Sequence, residues 1–231
     1  MNKVFEKALD FVYPENIYCS CCGDVMNKTR VHGLCDNCVA KMQWLTKNPF
    51  DNKLEGFFFD DVMSLVLYDA YAQQIVHNLK FHSKPYIAKG IGRLMGELFL
   101  TRYEEKMIFT TVPMYKEKER LRGYNQAALL TEYAAKASDN KFILDALIKN
   151  KATDSMRMSR AERRFTSLEG SMVINQTKRA EIEGQNVVLV DDVVTTGTTA
   201  NLCSKILKDS GAKKVIILSF AAVDYKGNHE E

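Results

Sequence analysis

Apolar residues follow two rhythms along this chain. Largely apolar runs at 107–112, 142–148, 187–191 and 214–223 predict buried strands, because a strand covered on both faces needs apolar side chains on both. Elsewhere apolar positions recur every three or four residues. Val4, Phe5, Ala8, Leu9 and Val12 predict a helix over 1–13, closed by Pro14. Ile75, Val76 and Leu79 form the inward stripe of a helix over 70–81. Further helices are expected over 86–103, 127–137 and 199–209, with Gly92 and Gly96 allowing the first of these to pack closely. Residues 57–68 predict extended or hairpin structure with a turn at Asp60-Asp61, and 170–174 a short strand. Strands alternating with helices predict an α/β fold with a parallel sheet.

One stretch adds chemistry to that pattern. Residues 187–200 read VVLVDDVVTTGTTA: an apolar strand, two acids, then a hydroxyl-rich turn opening a helix. Asp191 and Asp192 are expected at the carboxyl end of the strand, where ligands bind in open α/β sheets. Thr195, Thr196, Thr198 and Thr199 offer hydroxyls, and the unpaired N–H groups of a helix start favour a phosphate. Gly197 lets a ligand approach the backbone. Acids beside a phosphate cradle suit a phosphorylated sugar with a cis-diol, bridged by a hard cation. The bland alternative is a solvated loop followed by a capped helix start.

Cysteine and charge narrow the setting. Five of the six cysteines lie between positions 19 and 38. Cys19 and Cys22 form one C-x-x-C and Cys35 and Cys38 another, a spacing that fits a closed structural zinc site; Cys21 and His32 are alternative ligands. Cys203 reads as a small buried residue. The whole-chain charge of +3 is too small to argue nucleic-acid binding, yet 151–165 alone carries five basic and two acidic residues. No apolar run approaches the ~20 residues of a membrane span, and no signal-peptide core is visible, so a cytoplasmic location is expected. Residues 47–52 read as a linker, dividing a zinc module (1–48) from the α/β domain (49–231).

Other residues have two readings each. Lys80 is a helix C-terminal cation or a pyrophosphate contact. Arg120, Arg122, Gly123 and Asn125 precede the helix at 127–137; Asn125 is a cap candidate, and Arg122 beside a glycine turn suits phosphate. Tyr115 and Tyr124, near basic residues, are candidate base-stacking platforms.

Several of these features fall in one order: the paired C-x-x-C, LKFHSKPYIAKGIG, the RLRGYNQAALL block, SRAERR and VVLVDDVVTTGTTA. In that order the chain resembles the ComF family end to end, and residues 187–200 resemble the phosphoribosyl-pyrophosphate (PRPP) motif of type I phosphoribosyltransferases. The resemblance implies a phosphoribosyltransferase-like domain with an amino-terminal four-cysteine zinc module. It implies ribose contacts from Asp191 and Asp192, and a 5′-phosphate held by Thr195, Thr196, Gly197, Thr198 and Thr199. Lys80, Arg120, Arg122, Gly123, Asn125, Arg160 and Arg163 become candidate pyrophosphate or loop contacts. PRPP with Mg²⁺ or a related nucleotide, single-stranded DNA and the competence helicase machinery become the implied ligands and partners. The implied role is DNA handling in natural transformation; phosphoribosyl transfer to an acceptor and PRPP or nucleotide sensing without turnover are the alternatives. The Gln and Asn usual in the family near positions 156 and 166 are absent here, which touches catalysis more than binding.

Overall fold

The computed structural model describes residues 17–26, 32–50, 54–81, 84–149 and 171–223. The helix expected over 1–13, the basic segment 151–165 with Arg160 and Arg163, and the tail lie outside the described residues.

Five parallel strands form the main sheet: β1 (Asp61–Leu67), β2 (Ile108–Thr111), β3 (Lys141–Ile143), β6 (Asn186–Val194) and β7 (Lys214–Ala222), in the order β1-β7-β6-β2-β3. The two long apolar runs become the inner strands β6 and β7, whose two faces are both covered. On one face pack α2 (Ala70–Phe81), α3 (Ile87–Leu100) and α5 (Gln126–Ala137), against Val188, Val190, Ile216 and Leu218. On the other packs α7 (Thr198–Asp209), against Val187, Leu189, Val215 and Ile217. A small antiparallel pair, β4 (Leu147–Lys149) and β5 (Met172–Ile174), joins that second face.

Glycines set how closely α3 and α5 meet. A Cβ at Gly92 would lie 2.6 Å from the Cβ of Tyr133, and one at Gly96 would lie 2.5 Å from the carbonyl oxygen of Ala134. Asp69 accepts the N–H of Ala72 at 2.8 Å and so starts α2, and Asn125 accepts the N–H groups of Ala127 and Ala128 to start α5.

The cysteine segment docks on this frame. Asn78 of α2 donates to the carbonyls of Ser20 and Cys21 at 3.2 and 3.4 Å. Residues 43–45 run along β1, with Leu45 N–H on the Leu65 carbonyl and Leu67 N–H on that of Gln43. That contact covers the backbone groups an edge strand would otherwise expose. Met26, Leu34 and Met42 share one core with Leu65, Leu79 and Ile216.

The structure revises some of these expectations and refines others. The run 142–148 is divided between two strands, because the chain turns at Leu144-Asp145 and Leu147 starts β4 in the second, smaller sheet. Residues 57–68 take the extended form rather than the hairpin: β1 pairs in parallel with β7, and ahead of it Phe57 stacks on Phe59. Asp60-Asp61 is no free turn, since Asp60 accepts the N–H of Val215 and pairs with Lys208, both at 2.7 Å, while Asp61 opens β1. Residues 116–122 form a helix, α4 (Lys116–Arg122), ended by Gly123 at φ 87°. Within the expected linker, Phe50 is fully buried.

Candidate functional site

The site grows from β6. The strand does not stop at the acids but pairs with β7 as far as Val194. Alternation along it sends neighbouring side chains to opposite faces. Asp192 therefore faces α2 and α5, and Asp191 faces β4 and α7.

Asp192 is buried and tightly held. Lys80, the penultimate residue of α2, places Nζ 2.6 Å from its Oδ2. Gln126, the first residue of α5, donates Nε2 to the same oxygen at 3.2 Å. The Oε1 of Gln126 in turn accepts from Nη1 of Arg122. Tyr124 donates its hydroxyl to the Leu79 carbonyl at 2.6 Å, which pins the end of α2 beside Lys80. Burial pushes the Tyr124 phenol up. Tyr124 is therefore a brace, and not the open stacking platform its sequence context suggests.

Asp191 sits differently. Burial, followed by the charge of Asp192, raises its carboxyl well above the usual carboxylate range. Its Oδ1 accepts the Asp192 N–H at 2.8 Å. Lys149 of β4 interacts with it electrostatically, and burial pulls that ammonium down. Lys149 also stands 4.7 Å from the centre of the Tyr115 ring.

An acid whose pKa rises on folding binds its proton more tightly folded than unfolded. Its ionisation therefore costs stability as pH climbs from the ordinary carboxylate value through the raised one. Asp191→Asn removes that cost. The variant should melt above wild type at about pH 8, with the gap closing toward about pH 4, in thermal melts without ligand. A gap that stays constant with pH contradicts this assignment.

Beyond Val194 the chain forms the cradle. Thr195 and Thr196 are exposed, and the hydroxyls of Thr196 and Thr198 lie 2.9 Å apart. Gly197 holds φ 75° at the start of α7 and makes no side-chain cap. The N–H groups that open α7 thus suit an anion. Beneath Gly197 lies an aromatic pad: a Cβ there would meet Phe50 at 3.1 Å and Phe57 at 3.2 Å. Phe57 stacks on Phe59 with centroids 4.6 Å apart, and Phe50 meets both edge-on. On α4, Arg120 is exposed, whereas Asn125 uses Oδ1 to cap α5.

A second centre lies in the amino-terminal segment. The Sγ atoms of Cys19, Cys22, Cys35 and Cys38 all fall within 4.8 Å of one another. The Cys22 and Cys35 sulfurs are 3.7 Å apart. Tetrahedral Zn²⁺ with Zn–S of about 2.3 Å needs S···S edges of about 3.8 Å, so the donor set fits that ion. Cys21 instead points its thiol toward the Tyr71 carbonyl at 3.8 Å, and His32 places Nε2 3.5 Å from Glu97. Cys203 is buried, with its sulfur 3.4 Å from that of Met172.

Residues 141–230 match the Phosphoribosyl transferase domain family. The chain is 26% identical over 206 residues to Competence protein ComFC of Bacillus subtilis, spanning 89% of this chain and 77% of that protein. It is also 26% identical over 208 residues to Competence protein F of Haemophilus influenzae, spanning 87% and 89%. The chain is a ComFC/competence protein F homologue with a phosphoribosyltransferase domain. The DNA utilization protein YhgH of Escherichia coli matches at 27% identity over 146 residues, 61% of this chain and 63% of that protein. The acids and the cradle stand on a five-stranded parallel sheet. Among the described residues, no helix is long and apolar enough to cross a membrane.

Sequence reasoning missed Gln126 as a partner of Asp192, Lys149 as a cation near Asp191, and the Phe50 pad. Gln126 carried a signal, since it adjoins a cap residue that faces the strand of the acids. Phe50 and Lys149 carried none, because their contacts are made only by tertiary folding.

Proposed function

We propose that this protein binds PRPP or a related ribose 5-phosphate nucleotide at residues 191–199, and that this binding serves the handling of single-stranded DNA in natural transformation. One observation carries the reading: two acids near the end of β6 are followed by a threonine-rich turn and a helix start to which Gly197 gives no side-chain cap, with a lysine on the second acid. Asp191 and Asp192 would take the ribose hydroxyls. The N–H groups and threonine hydroxyls opening α7 would take the 5′-phosphate. Magnesium would neutralise charge on the diphosphate. The DNA side rests on the competence and DNA-utilization names of the relatives and on the +3 charge of 151–165.

Two experiments test it. PRPP with Mg²⁺ should raise the melting temperature of wild type and leave Asp191→Ala/Asp192→Ala unmoved. With metal-loaded full chain, a single-stranded 50-mer should be shifted at low salt, and the shift should fall steeply as salt rises. No shift at low salt would remove the DNA half of the reading.

Transfer chemistry is the second reading, favoured by the cation that Lys80 places beside the ribose handle. In it, the C1–O bond to pyrophosphate breaks and pyrophosphate leaves with the bonding pair. The acceptor then bonds to C1 and gives up its proton. Positioning and charge stabilisation would supply most of the rate. Release of pyrophosphate from PRPP across a panel of bases and amines tests it.

A further inference from the structure

We infer that Lys80 is a selectivity latch on Asp192, admitting sugar phosphates that carry a diphosphate at C1 and rejecting those that do not. The inference rests on the PRPP-binding reading and adds how that site chooses its ligand.

In this structure the Lys80 ammonium is committed to Asp192, at 2.6 Å, with the side chains 25% and 6% exposed. A ribose hydroxyl reaching for the same Oδ2 must compete with a charge-assisted contact in a poorly solvated place. Ribose 5-phosphate displaces the ammonium and offers it no replacement. PRPP displaces it and presents a polyanion on the same side. The cost of opening the pair is then offset for one ligand and not for the other.

Two features let the latch open without disturbing the site. First, Asp192 keeps a donor when Lys80 leaves. Arg122 can only donate, so it fixes the Gln126 amide with Oε1 toward itself and Nε2 toward Asp192. Gln126 is thus a positioning residue that holds the carboxylate in its orientation. Second, the backbone behind Lys80 is held still by Tyr124 on the Leu79 carbonyl. Only the flexible lysine stem has to move.

The test is calorimetric titration of PRPP and of ribose 5-phosphate, each with Mg²⁺, into wild type, Lys80→Met and Lys80→Arg. Wild type should prefer PRPP strongly. In Lys80→Met, PRPP affinity should fall and ribose 5-phosphate affinity should rise, so that the preference shrinks by about fivefold or more. Lys80→Arg keeps the charge and should keep most of the preference. A further measurement needs no variant: saturating inorganic pyrophosphate gives Lys80 a new partner, so it should tighten ribose 5-phosphate binding to wild type by about fivefold or more. An unchanged preference in a folded Lys80→Met protein, or no tightening by pyrophosphate in wild type that binds PRPP, overturns the latch. If wild type binds neither sugar, the PRPP-binding reading itself has failed.

Discussion

Stripping the metal from the cysteine cluster, or replacing Cys38 with Ser, is expected to lower the melting temperature by about 10 °C. A loss of about 3–5 kcal/mol shifts a domain of this size by roughly that much. The reason lies in how the segment is held. Cys38 is buried in the same core as Met42 and Leu65, and α1 (Asp36–Lys41) carries it there. Four sulfurs are gathered within 4.8 Å of one another in that segment. The energy of metal binding is then folding energy for that segment. Its loss also uncovers the backbone of β1 along residues 43–45 and leaves the buried Asn78 without its two carbonyl partners. Metal analysis together with thermal melts before and after chelation checks this. Well under one metal per chain in active protein, or a melt unmoved by chelation, contradicts it.

Phe50→Ala is the second large effect. Phe50 is fully buried between Gly197, Phe57 and Phe59, so its truncation is expected to cost about 3–5 kcal/mol in urea unfolding. The same change should weaken PRPP binding beyond what stability explains. The ring is the floor on which Gly197 holds its positive φ and from which α7 starts. A loss under about 1 kcal/mol would mean that the pad collapses without strain and does not shape the cradle.

Much of this was legible in the chain. Strands β6 and β7 announce themselves because burial on both faces leaves no room for polar alternation. Gly92 and Gly96 foretell a close helix contact, and the paired C-x-x-C foretells the cluster. Asn125 reads as a cap and is one. What stayed hidden depends on contacts between distant segments. Nothing local says that Asp191 and Asp192 meet different lysines, because the partners come from α2 on one face and β4 on the other. The run 142–148 is broken by Asp145, and that single polar residue does not by itself report that the run serves two sheets. Tyr124 looks like a stacking residue until its hydroxyl is seen on the Leu79 carbonyl.

The site at the end of β6 is tested most directly by a crystal structure of the full chain with Mg²⁺ and PRPP. The account predicts the 5′-phosphate on the N–H groups and threonine hydroxyls of residues 195–199. It predicts the ribose hydroxyls on Asp191 and Asp192, and Lys80 turned from Asp192 toward the diphosphate. PRPP bound elsewhere, or a phosphate that leaves the start of α7 untouched, would contradict it.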